Sequence, residues 1–109
     1  MKDRLHKAEE LYAHLAAEYL SRASNRQSLI TVTRAQLAPR LTRGIIFITV
    51  FPDSQEDIAL AFLSRNIHEF KDFLKTRVDS RALPHFRFAI DRGEKNREIL
   101  DEISRDIRE

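Results

Sequence analysis

Leu5, Ala8, Tyr12, Leu15 and Tyr19 recur at the spacing of one helical face, with Leu11 and Leu20 widening the stripe. Residues 3 to about 22 are therefore predicted to form an amphipathic helix. The run SRASNRQS, rich in Ser, Asn and Gln, leaves it as a loop. Two β-branched runs follow, LITVT and GIIFITVF, and both read as strands. Pro39 and Gly44 place the chain reversal between them. In the second run Ile46, Ile48 and Val50 point one way, and Ile45, Phe47, Thr49 and Phe51 the other. A strand apolar on both faces belongs at the centre of a sheet or under heavy cover.

Ser54 is placed to cap a helix, with Asp57 three residues on. Ile58, Ala61, Phe62, Ile67, Phe70, Leu74 and Val78 carry helical periodicity across residues 55–78, but the step of five between Phe62 and Ile67 shifts the stripe. An unbroken rod of that length would measure about 36 Å, so a break is expected near SRNIH, where Ser64 and Asn66 are weak helix formers. After the turn DSRALPH, the run HFRFAI alternates: Phe86, Phe88 and Ile90 face inward, His85, Arg87 and Ala89 outward. Ile99, Leu100, Ile103 and Ile107 mark a last, highly charged helix beyond Gly93. The expected order is α-β-β-α-α-β plus a C-terminal helix, in one α+β domain spanning residues 1–109.

Composition narrows the function classes. With 42% hydrophobic and 33% charged residues, the chain is expected to be globular. It has no cysteine, which excludes disulfides, thiolate metal sites and Cys nucleophiles and suits a cytoplasmic protein. Acids and bases mix from residue 2, and no apolar run approaches a membrane span, so neither export nor insertion is expected. His6, His14, His68 and His85 have no metal-ligand spacing, and no nucleophile elbow, phosphate-cradling glycine loop or paired-acid motif occurs. Neither catalysis nor a metal or other cofactor is expected.

Charge distribution changes the picture more than its total. Net charge is +2, yet residues 19–52 contain Arg22, Arg26, Arg34, Arg40 and Arg43 without one Asp or Glu. Solvated surfaces usually interleave their signs, so an acid-free arginine block implies a positive field facing an anionic partner. The alternative is that carboxylates such as Glu18 or Asp53 fold back over these arginines.

In this order of elements, three stretches resemble ribosome-binding factor A, a bacterial small-subunit assembly factor family with a type II KH-like fold. SLITVTRAQLAPRLTRGIIFITV resembles the family's first hairpin, RALPHFRFAID its Pro-containing third strand with the closing Asp91, and GEKNREILDEI the helical segment after it. The resemblance implies a three-stranded sheet covered by helices on one face. It also implies binding to small-subunit rRNA and the free, immature small ribosomal subunit, with a part in rRNA processing and late subunit maturation. The protein is expected to act as a monomer, without enzymatic activity and without DNA or membrane partners. Family members interrupt their helix pair with an Ala-x-Gly kink, whereas this chain has Asn66, Ile67 and His68 there. Loss of the glycine weakens the case for close backbone approach to phosphate at this point. Either the kink persists with altered contact chemistry or the two helices fuse.

The arginine block and the helix pair together nominate one RNA-binding surface: Arg22, Arg26, Arg34, Arg40, Arg43, Arg65, Asn66, His68, Lys71, Lys75, Arg77 and Arg81. Arginine suits phosphate because its planar fork donates two hydrogen bonds and is weakly hydrated. The rival expectation is a KH-scaffold adaptor that binds protein and not RNA, since a fold does not fix a function.

Overall fold

The computed structural model describes residues 2–23, 28–79, 81 and 83–93. The expected C-terminal helix and Arg26 lie outside them. Helix α1 spans Lys2–Ala23 and buries Tyr12, Leu15, Ala16, Tyr19 and Leu20. Leu11, expected in the same stripe, is exposed because it falls just outside the arc those residues define.

Strands β1 (Leu29–Leu37) and β2 (Arg43–Phe51) pair antiparallel, and β3 (His85–Ile90) joins β2 in parallel, giving the order β1-β2-β3. The first strand extends four residues beyond the β-branched run that announced it. A β-bulge between Val32 and Arg34 shifts the register: Val32 sits opposite Ile48, and Arg34 opposite Phe47. Side chains alternate along a strand, so unbroken pairing would have sent Arg34 toward the same side as Ile30 and Val32. With the extra residue absorbed at Thr33, Ala35 and Leu37 enter the core and Arg34 does not.

Helices α2 (Glu56–Arg65) and α3 (Ile67–Lys75) follow a short 3-10 turn at Asp53–Gln55. Ser54 lies within that turn and makes no capping hydrogen bond for α2, whose N-cap position is Gln55. The helical span breaks at Asn66, as its sequence predicts, and α3 ends at Lys75, short of Val78. Asn66 adopts φ −106°, ψ 20°, so the kink forms without a left-handed residue.

All three helices share one core with the sheet. Tyr12, Leu63, Phe70 and Leu74 cluster with Ile46, Ile48 and Val50, while Ile45 and Phe47 are buried on the second face beside Ala38 and Ala89. β2 is thus central and buried on both faces from Ile45 to Ile48, whereas Thr49 and Phe51 on the second face are exposed. Phe70 holds α3 in place: its ring centroid lies 5.1 Å from Tyr19, 5.2 Å from Phe88 and 6.1 Å from Phe86. Such tilted aromatic contacts add to burial energy. The packing fixes the start of α3 relative to the start of β3.

The hairpin turn differs from its expected form in one respect. Gly44 belongs to β2, opposite Leu37, and the left-handed residue of the turn is Leu41, at φ 58°. Glycine is needed at 44 for space. A Cβ there would approach the Phe86 ring to 2.6 Å and the Leu37 side chain to 2.8 Å.

Candidate nucleic-acid interface

The nominated cations fall into two groups with different surroundings. Arg22 and Arg77 converge on Glu18, with Nη2 to Oε2 distances of 3.4 Å and 2.5 Å. The Arg77 guanidinium also lies 4.9 Å from the Phe73 ring centre. Arg81 is held by Asp79 at 2.9 Å, and their hydrogen bond keeps the Asp79 carboxyl below the usual carboxylate range. Lys75 lies 3.9 Å from Asp72. Arg34 stacks 4.6 Å over the Phe47 ring and lies 3.8 Å from Asp91, which also accepts a 2.5 Å hydrogen bond from the Thr33 hydroxyl. The acid-free stretch of sequence is thus partly neutralised by carboxylates from outside it, Glu18 at its edge and Asp91 across the sheet.

Around the hairpin turn and the start of β3 the pattern is different. Arg40 is exposed in the turn and Arg43 is exposed as the first residue of β2. Parallel pairing sets Arg43 beside His85 and Ile45 beside Arg87. The His85 N–H donates to the Thr42 carbonyl at 3.0 Å, tying the first residue of β3 to the hairpin. His85 and Arg87 alternate outward with Phe86 and Phe88 inward, so both basic side chains leave the core. Neither was nominated from sequence, where they appeared only as the outward half of a strand.

A cavity of about 190 Å³ opens beside them, lined by Ile67, His68, Phe70, Lys71, Leu74, Pro84, His85 and Phe86. A second cleft adjoins it through His85 and Phe86 and adds Arg43, Gly44 and Arg87. No described residue lining either space is a carboxylate. Arg40, Arg65, Lys71 and Arg87 make no ion pair among the described residues. The first space is lined by the apolar side chains of Phe70, Leu74 and Phe86 together with the basic side chains of His68, Lys71 and His85. Asn66 contributes differently: its side-chain Nδ2 donates to the Phe62 carbonyl at 2.8 Å and closes α2.

Arrangements of this kind suit a phosphate backbone, because Arg40, Arg65, Lys71 and Arg87, which form no ion pair among the described residues, can turn their donors to phosphate oxygens. The described residues contain no group of three or more His, Asp or Glu able to hold a metal ion. None of their helices is long and apolar enough to cross a membrane.

No protein-family model and no curated protein sequence matches the chain. Solved structures do. The crystal structure of ribosome-binding factor A from Thermus thermophilus superposes with a TM-score of 0.72 at 24% identity, covering 79% of this chain and 93% of that one. The solution structure of a Thermotoga maritima protein, a candidate ribosome binding factor A, gives a TM-score of 0.67 at 18% identity, covering 80% and 86%. The chain therefore has the α+β fold seen in ribosome-binding factor A.

Proposed function

We propose that this protein is a non-enzymatic ribosome assembly factor that binds small-subunit rRNA on the immature subunit through the basic rim of Arg43, His68, Lys71, His85 and Arg87, with Arg40 of the hairpin turn and Arg65 at the end of α2 as further cationic contacts. The observation that carries this reading is the convergence of cationic groups from the hairpin, α3 and β3 around two adjoining spaces free of described carboxylates. Likeness to ribosome-binding factor A supplies the ribosomal partner. Contacts of this type position a protein on folded RNA without reading its sequence. Binding assists rRNA processing and late maturation by holding an unfinished arrangement until the factor leaves. The protein acts as a monomer in the cytoplasm, with no metal or cofactor.

The test is cosedimentation of the purified protein with free small subunits, before and after ribonuclease digestion. Retention that is lost on digestion supports direct rRNA binding. Retention insensitive to ribonuclease would make the partner a ribosomal protein.

A further inference from the structure

At the end of the sheet away from the hairpin turn, large apolar side chains are left in water. Leu29 and Phe51 are register partners, 67% and 72% exposed. Directly opposite strand residues lie about 5 Å apart at Cβ, so the two form one patch. Both alternate with residues of the main core and so project from the sheet face turned away from the helices. Ile58, in the first turn of α2, is half exposed. Isolated exposed leucines need no explanation, whereas contiguous exposed apolar side chains rimmed by polar residues are the form that a contact surface takes.

The surrounding charge indicates what the patch contacts. From Gly44 to Ser64 the chain has no Lys, Arg or His, but it has Asp53, Glu56 and Asp57. Glu56 is engaged by Arg92 at 2.8 Å. Asp53 and Asp57 are exposed and make no ion pair among the described residues. Acids at the start of a helix favour its dipole, which explains these carboxylates but not the apolar pair beside them. The carboxylates of Asp53 and Asp57 disfavour a phosphate backbone here. A second copy meeting this patch through a two-fold axis would oppose like carboxylates.

We propose that this end of the molecule docks a lysine- or arginine-rich polypeptide segment bearing aliphatic or aromatic side chains. The apolar side chains bury against Leu29 and Phe51, and the cations pair with Asp53 and Asp57. None of these residues belongs to the basic rim, so the two surfaces stand or fall separately.

The test uses a short fluorescein-labelled peptide of alternating lysine and leucine. Controls alternate lysine with serine, and glutamate with leucine. The Lys–Leu peptide is expected to bind the wild-type protein at least ~10-fold more tightly than either control. Leu29→Ser with Phe51→Ser is expected to cost ~10-fold or more, and Asp53→Asn with Asp57→Asn to weaken binding several-fold and flatten its salt dependence. Arg43→Glu with Arg87→Glu leaves peptide binding unchanged while testing the rRNA reading separately. Amide shift mapping on the wild-type protein locates the peptide independently of any variant. Equal binding of the Lys–Ser peptide, shifts confined to other surfaces, RNA cross-links at Phe51, or a dimer abolished by Phe51→Ser would each overturn the proposal.

Discussion

The basic residues around Glu18 and those around the hairpin turn have different surroundings, although Arg22 and Arg40 belong to one acid-free stretch of sequence. Arg22 meets Glu18 one helical turn earlier in α1, and Arg77 reaches the same carboxylate from beyond the end of α3. Arg43 has as strand neighbours His85 on β3 and, two pairs along on the same face, Arg87. Freedom from acids along the chain and freedom from acids in space are separate properties. The second depends on which elements the fold brings alongside.

Breaking the basic rim should give the largest effect. Arg43→Glu with Arg87→Glu is expected to weaken small-subunit binding about 100-fold or more while the domain stays folded, because both residues are exposed. A variant that binds normally by cosedimentation would remove the rim from the interface. Gly44→Ala tests how the rim is placed. Its Cβ would press on Phe86 and Leu37, so denaturant unfolding should show a loss of about 1–3 kcal/mol. An unchanged midpoint would mean the Phe86 ring has room to retreat.

The Glu18 end should respond mainly in stability and salt dependence. Burial, the charge of Glu69 and the 3.3 Å hydrogen bond to it push the Tyr19 hydroxyl up to about 12. The folded protein thus holds the proton more tightly than the unfolded chain. The resulting stabilisation is present below about pH 10 and is lost as pH rises toward 12. Tyr19→Phe should flatten the unfolding free energy across that window, and an identical slope in the variant would contradict the assignment. The smallest effect is expected from Glu18→Gln, which releases Arg22 and Arg77. Stability should change by no more than ~1 kcal/mol, as for other largely solvated ion pairs. Subunit affinity should rise a few-fold if that end also faces RNA, and stay constant if only the hairpin end does.

Much of this architecture could be read from local pattern. Periodicity from Leu5 to Tyr19 marked α1, the two-sided apolar run around Phe47 marked the central strand, and the phase shift between Phe62 and Ile67 marked the break at Asn66. Features set by long-range pairing were not legible. Nothing near Thr33 signals the bulge that turns Arg34 outward, because its cause is the registration of β1 on Ile48 and Phe47. Gly44 read as a turn residue, whereas its small size serves Phe86, forty-two residues later in sequence. His85 and Arg87 joined the rim only through parallel pairing with β2. The pairing of Arg34 with Asp91 likewise spans the sheet.

The most direct measurement is the affinity of the protein for purified small subunits across a series of potassium chloride concentrations, for wild type and for the Arg43→Glu, Arg87→Glu variant. If about five rim cations neutralise phosphates, log K for the wild type should fall with log salt at a slope near −4, and the variant's slope should be shallower by about 2. A flat wild-type response, or equal slopes for the two proteins, would contradict an rRNA interface built on this rim.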